Sequence, residues 1–391
     1  MNFDRSTDQK MLADTAASFA KKSSPVARAR RLRDDPLGFE PAVWKQMAEL
    51  GWLGLWARED VGGFGGRFVD LALVIEQLGA TLVPEPILAT AVLGGATLEA
   101  AASDEQRARW LAPLVAGDLH AALAWAERGG RFDPAWCETR AERAAGGELT
   151  ISGEKVWVLN GHAADLLLIT ARTGGAPGER AGVSLFAVDA RASGVTVQPV
   201  KTMDGRRAAM VRLDGVRVGP EGLLAPTSSG VHEDWAVSIV EDALDAARAA
   251  ACAEALGIAQ AVLAMTTEYL KTREQFGVKI GSFQALQHRA VEMFVETELL
   301  RSHSLEASLR LDEGEADERR RAVSAAMVQV ATGGRFVVKQ GIQLHGGIGC
   351  TDEHDVGLYF KRMQVLSQAL GDEEHHLARF ADLTQAPRVE L

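Results

Sequence analysis

The stretch LTISGEKVWVLNG, Leu149 to Gly161, constrains the fold more than any other part of the chain. Its β-branched and aromatic residues alternate with polar ones, and Asn160-Gly161 ends the run with a turn pair. DLLLITAR, VSLFAVDA, VTVQPV and MVRLDGVRV continue the texture, with Asp214-Gly215 as a second turn. Short strands so closely spaced predict a small antiparallel β-barrel or sandwich from His120 to about Ala225.

Both flanks read as helical. Ser6 with Gln9, and Ser103 with Gln106, form capping-box patterns that open helices. Between them EDVGGFGGRF, Glu59 to Phe68, is a glycine-rich break. No strand leads into it and no acid follows at the Rossmann distance, so it reads as a turn rather than a phosphate loop. After Gly230 a stripe of Phe283, Leu286, Ala290, Met293, Thr297 and Leu300 recurs near the heptad interval, as in a helix bundle. Pro226 and the TSSG run at 227–230 mark the boundary before this tract. The expected class is α+β: an N-terminal α-helical domain over 1–119, a β domain over 120–228 and a C-terminal four-helix bundle over 229–391.

Composition serves mainly to exclude. The 391 residues carry a net charge of -11, which disfavours nucleic acid and anionic membrane surfaces as partners. An anionic ligand must then meet local positive charge or a helix N-terminus. Cys137, Cys252 and Cys350 are far apart and odd in number, so no disulfide framework is expected. No apolar run approaches the roughly 20 residues of a membrane helix, and MNFDRSTDQK lacks the build of a signal peptide. The expectation is a cytoplasmic protein with no membrane span. His375-His376, after Glu373-Glu374, looks metal-like, but neighbours on a helix point about 100° apart. Both are read as exposed, and no metal is expected.

Four motifs, in order along almost the whole chain, resemble the acyl-CoA dehydrogenase family. GWLGLWARED with the glycines after it, then LVIEQLG, is similar to its N-terminal domain. ISGEKVWVLNGHAAD, with Gly153, Lys155, Trp157, Asn160, Gly161 and Asp165, is similar to its β-domain signature. REQFGVKIGSFQALQ and QLHGGIG are the most specific. The resemblance implies the acyl-CoA dehydrogenase fold, FAD held without a Rossmann fold, an acyl-CoA substrate and an electron-transfer acceptor protein. It also implies a dimer or tetramer with a same-fold neighbouring subunit. Arg273 would contact the FAD pyrophosphate, which suits its forked donors. Phe276 would pack by the adenine, and Gln284 would hydrogen-bond the same half. Gln343, Gly346 and Gly347 would bring backbone close to the adenosine. In the family both motifs act in trans, on a flavin whose ring lies in a neighbouring subunit. Trp157 would lie against the ring in this chain's own site.

Departures gather where the family does its chemistry, the α,β-desaturation of an acyl-CoA thioester by a carboxylate base and a flavin. One family position of the base is Leu370 here, before Gly371. The other, in the pattern leucine-aspartate-any-glutamate-arginine, is Ala247 within LDAAR, where Leu244, Asp245 and Arg248 match. Asp245 and Arg248 are carried over as substrate-binding, and no catalytic residue is assigned. Leu159 stands where the family usually has a threonine that bonds the flavin. The usual TEPGAGSD reads AERGGRFD, Ala126 to Asp133: Glu127, Gly129 and Asp133 match, while Arg131 and Phe132 replace a glycine and a serine. Three readings stand. The chain is the subunit lacking the base in a heteromeric enzyme, as in bacterial steroid side-chain acyl-CoA dehydrogenases. Alternatively it is a homomeric dehydrogenase with a displaced base among Asp372, Glu373 and Asp245. The third reading is a flavin-dependent monooxygenase on the same fold.

Overall fold

A computed structural model describes residues 4–143, 148–225 and 232–384. Pro226 and the 227–230 run, expected as a domain boundary, lie outside them. Both capping boxes form. Ser6 Oγ accepts from the Gln9 amide, and the Gln9 side chain accepts from the Ser6 amide, at the head of the Thr7–Ser23 helix. Ser103 and Gln106 repeat the exchange. Each box satisfies donors that a helix start otherwise leaves open.

The chain packs as two compact units. One holds the N-terminal stretch through Asp34, Arg67–Pro84 and Arg248 onward; the other holds Asp35–Gly66 and Glu85–Ala247. This is a different partition from the segments 1–119, 120–228 and 229–391, which divide the chain by element type.

The second unit contains the sheet. Its strands are β1 (Ala121–Ala124), β2 (Arg140–Arg143), β3 (Leu149–Leu159), β4 (Leu166–Arg172), β5 (Val183–Asp189), β6 (Val195–Lys201), β7 (Arg207–Val218) and β8 (Leu223–Leu224). They lie in the order β6-β7-β3-β2-β4-β5-β8, with β1 beside β4. Most neighbours are antiparallel, but β1 and β2 run parallel to β4, so the sheet is mixed. Alternation along the strands sends Ile151, Val158, Leu167, Ile169, Phe186 and Val211 into one buried core. Asp214-Gly215 is not a hairpin turn. It lies inside β7, where the register with β3 shifts between Ile151 and Gly153 and the Gly215 amide donates to Ser152 Oγ at 3.0 Å. A bulge and a tight turn share the demand for positive φ, here +61° at Gly215, so the dipeptide alone does not separate them. The glycine-rich break doubles back on the chain before it: Phe64, Gly65 and Gly66 amides donate to the carbonyls of Gly54, Ala57 and Leu55. A β-carbon on Gly63 would stand 2.2 Å from the Ala57 carbonyl oxygen, so backbone contact explains the glycines.

The first unit is helical. Arg362 and Glu254 form a buried, two-pronged pair at 2.7 Å for each bond. Tyr359 Oη donates to the Ala80 carbonyl at 2.7 Å. The Gln284–Glu313 helix buries Met293, Thr297 and Leu300 as its stripe predicts, and then Ser304, Ala307 and Ser308. Its outward side carries Val291, Phe294, Val295 and Leu299, exposed by 59, 54, 48 and 44%. The Trp235–Thr272 helix corrects one expectation: by length and composition it is long and apolar enough to cross a bilayer. With 72% of its most apolar window buried inside the protein, it is a core helix.

Candidate functional site

REQFG folds as a two-residue hairpin. β9 (Glu274–Gln275) pairs with β10 (Val278–Lys279), setting Gln275 opposite Val278 around Phe276-Gly277. φ is +57° at Phe276 and +78° at Gly277, the left-handed pair that the twist of a tight hairpin requires. Glycine or asparagine usually fills such places. Phe276 is instead 92% exposed, and its ring meets Phe283 edge-on with centroids 6.1 Å apart. A strained, exposed aromatic adds little to its own chain's stability, so packing within the chain does not explain phenylalanine here. Arg273 and Gln284 are exposed as well, and no partner for the Arg273 guanidinium occurs among the described residues.

Gln343 lies in the last turns of the Arg335–His345 helix, and Gly346–Cys350 follows as a 3-10 turn. Gln343, Gly346 and Gly347 are all exposed. Gly346 has φ +63°, which explains a glycine. Gly347 has an ordinary φ, and a β-carbon there would meet nothing within 4 Å. Nothing among the described residues requires glycine at 347; close approach by a ligand from outside would. Behind the turn, His345 Nδ1 donates to the Gly341 carbonyl at 2.7 Å. The His345 ring packs on Tyr269 and His354, with centroids at 4.7 and 4.3 Å. A free forked cation, an outward aromatic and an open backbone turn fit the phosphate and adenosine half of a dinucleotide.

Trp157, in the other unit, stands at an irregularity of β3. The register with β7 shifts between Lys155 and Val158, and Trp157 takes φ +53°. Such backbone costs about 1–3 kcal/mol for a bulky residue. The bulge leaves the indole 54% exposed while Lys155 and Val158 are buried. A buried hub adjoins it. Lys155 Nζ donates to Glu127 Oε1 at 2.6 Å and to Thr170 Oγ1 at 2.8 Å. Glu127 also accepts from the Glu138 amide at 2.5 Å, the Thr139 amide at 3.0 Å and the Thr139 hydroxyl at 2.6 Å. Burial pushes the Glu127 carboxyl up, but Lys155 and these hydrogen bonds together hold it below its ordinary value. Arg172, also buried, spends its guanidinium on five carbonyls, those of Cys137, Gly174, Ala181, Ala135 and Glu179, at 2.8–3.1 Å. The Val156 amide donates to the Ala126 carbonyl at 2.9 Å, so the AERGGRFD loop starts alongside the bulge. Ala126, Phe132 and Leu159, at family positions for a threonine, a serine and a threonine, offer no hydroxyl to the polar edge of a flavin ring.

The two positions where the resemblance puts a base are aprotic. Leu370 is 2% exposed and Ala247 fully buried. The Leu370 carbonyl accepts from Arg248 Nε at 2.9 Å. Arg248 and Asp245 are buried, and neither lacks an interaction partner. Asp372 Oδ1 accepts from the His375 amide at 2.9 Å, capping the Glu373–Thr384 helix. His376, expected to be exposed, is 1% exposed. Helix geometry placed it relative to His375 but not to the Leu370–Gly371 turn, which covers it: a β-carbon on Gly371 would lie 2.4 Å from its Nε2. Among the described residues neither ring nitrogen finds a well-formed hydrogen bond, and burial pushes its pKa down to about 2 against the raising effect of the Leu370 backbone. An imidazole so strongly held neutral cannot keep an abstracted proton. Among the described residues, no group of three or more His, Cys, Asp or Glu could hold a metal ion.

Burial likewise holds His120, His162 and His345 below the ordinary histidine value. Unfolded, all four would take a proton as pH falls through about 6.5, while the folded chain resists it. Their stabilising share is complete above that pH and is lost below it. Burial raises Glu99 and Asp312, which oppose this trend only near the carboxylate range. The unfolding free energy should therefore fall between pH 7 and 5.5, by about 1 kcal/mol from His376 alone. Urea midpoints at the two values check this, and equal midpoints would contradict it.

The acyl-CoA dehydrogenase N-terminal, middle and C-terminal domains match residues 6–118, 122–216 and 237–383. The chain is 32% identical over 373 residues to the acyl-CoA dehydrogenase IpdE2 of Mycobacterium tuberculosis, covering 95% of this chain and 96% of that protein. It is 30% identical over 380 residues to the probable acyl-CoA dehydrogenase YngJ of Bacillus subtilis, covering 96 and 97%. Among solved structures, a steroid ACAD superposes with TM-score 0.83 at 29% identity, covering 96 and 97% of the two chains. A chain of the ChsE4-ChsE5 complex from Mycobacterium tuberculosis superposes with TM-score 0.87 at 26% identity, covering 99 and 100%.

Proposed function

Since the chain belongs to the acyl-CoA dehydrogenase family, whose members are FAD-dependent oxidoreductases, we propose that it is the subunit without a catalytic base in a heteromeric acyl-CoA dehydrogenase. One contrast carries this reading. The residues suited to gripping a dinucleotide are exposed and open to an outside ligand, whereas the places for a base hold buried Leu370 and Ala247. In the proposed division, the 229–391 segment lends Arg273, Phe276, Gln284, Gln343, Gly346 and Gly347 to a flavin whose ring lies on a same-fold neighbour. Arg273 neutralises the pyrophosphate, Phe276 covers the adenine, and the Gly347 backbone lets the adenosine approach. FAD, when bound, accepts a hydride from the acyl chain; the α-proton must go to a base on the neighbour. The apolar outward side of Val291, Phe294, Val295 and Leu299 suits a neighbouring helix. The names of the similar proteins, a steroid ACAD and a two-protein complex, support a steroid-type acyl-CoA thioester and a mixed assembly. A displaced base has less support: Asp372 is spent on a helix cap, and Asp245 is buried with a partner.

The chain purified alone should not bleach a bound flavin when an acyl-CoA is added without oxygen. Co-expressed with a base-bearing paralogue, it should yield a yellow complex that does bleach. Bleaching by the chain alone would overturn the reading, and oxygen-dependent turnover of a non-thioester would favour the monooxygenase.

A further inference from the structure

We propose that Arg30 and Arg33 are positioning residues for the Gly346–Cys350 turn, fixing where its open backbone stands. The inference rests on the reading of that turn as a seat for adenosine. Arg30 lies in the Val26–Leu32 helix, and Arg33 is its C-terminal cap. Arg33 grips Asp352 with both prongs, Nη1 to Oδ1 and Nη2 to Oδ2, each at 2.6 Å. Arg30 Nη2 donates to Asp355 Oδ1 at 2.8 Å, and its Nη1 donates to the Asp352 carbonyl. The Arg33 guanidinium draws the Asp352 carboxyl down to about 2, so the pair stays charged at any working pH.

Both acids sit on the loop that leaves the turn. His345, which packs on Tyr269 and on His354 of the same loop, anchors the other end. Between the anchors, Gly346, Gly347, Ile348 and Cys350 are exposed. Exposed ion pairs add little to global stability. These pairs join residues 319 to 325 positions apart, so their main effect is on where the loop stands, and a forked arginine fixes an orientation as well as a distance. Inside the turn Gly349 is buried, and a β-carbon on it would stand 2.5 Å from the Ile342 carbonyl oxygen; the two arginines fix the loop by which the chain leaves the exposed residues.

Arg33→Gln should leave the melting temperature unchanged. It should speed hydrogen exchange in a peptide covering residues 343–355 by about fivefold, the upper range for an exposed ion pair. The flavin-containing assembly should then lose FAD with a dissociation constant raised by a similar factor. The conservative Arg33→Lys, which keeps the charge and loses the fork, should recover part of both, whereas an arginine that only steadied the loop would leave FAD retention unmoved in either variant. Unchanged exchange, or faster exchange with FAD held as before, overturns the positioning role. Arg273→Ala in the same assembly separates the two failures. If it leaves FAD retention intact, the seat itself is misassigned; if it weakens retention while Arg33→Gln does not, only the positioning role falls.

Discussion

Lys155→Met should lower the unfolding free energy by about 3–5 kcal/mol, the usual cost of stranding one member of a buried ion pair. Lys155 is fully buried and Glu127 is 4% exposed, so water cannot replace the lost ammonium. Methionine fills much of the volume, and the loss is therefore electrostatic rather than a cavity. Glu127 would keep Glu138 and Thr139 but lose the counter-charge of Lys155. The double variant Lys155→Met with Glu127→Gln removes both charges and should recover part of the loss, because the penalty belongs to the unpaired carboxylate. Urea unfolding of the three variants measures this. A single-variant loss under about 1 kcal/mol would show that the hub is hydrated or relaxed, since exposed pairs fall in that range.

Phe276→Asn should separate stability from ligand retention. Asparagine accepts the left-handed backbone that phenylalanine resists, a gain of about 1 kcal/mol. Loss of the edge contact with Phe283 costs about the same. Thermal melting should stay nearly where it was. The dissociation constant for FAD in the assembly should rise about tenfold or more, since stacking an aromatic on a base is worth about 1–3 kcal/mol. A melting temperature several degrees lower with FAD retention unchanged would make Phe276 a structural residue and remove it from the site.

Local signals in the sequence were legible. The capping boxes at Ser6 and Ser103 need only the next three residues, and both form. Strand alternation needs only a near neighbourhood, and it located the β core. What depends on a distant partner was not legible. The Asp214-Gly215 pair became a bulge because β3 lies opposite with one residue to accommodate. The strain at Trp157 has the same origin, a register shift visible only once β7 is in place. His376 is buried by a turn outside its own helix. The two glycines of QLHGGIG look equivalent as letters, yet Gly346 serves the backbone and Gly347 meets no demand from the described residues. Aprotic Leu370 and Ala247, at the two places where the resemblance puts a base, were readable as letters; the burial that holds the imidazole of His376 neutral was not, because desolvation is a property of packing.

The hairpin around Phe276 has a genetic consequence. Every residue from Lys271 to Lys279 is exposed, so damage there leaves folding nearly untouched and gives cellular quality control little to detect. Such a chain would persist at normal abundance and still present Val291, Phe294, Val295 and Leu299 to a neighbour. In the proposed mixed assembly, each defective copy would then occupy a sound partner and leave its cofactor loosely held. In that assembly, mutations in the hairpin should therefore act dominantly, whereas mutations in the Lys155–Glu127 hub, which lower the abundance of the folded chain, should be recessive.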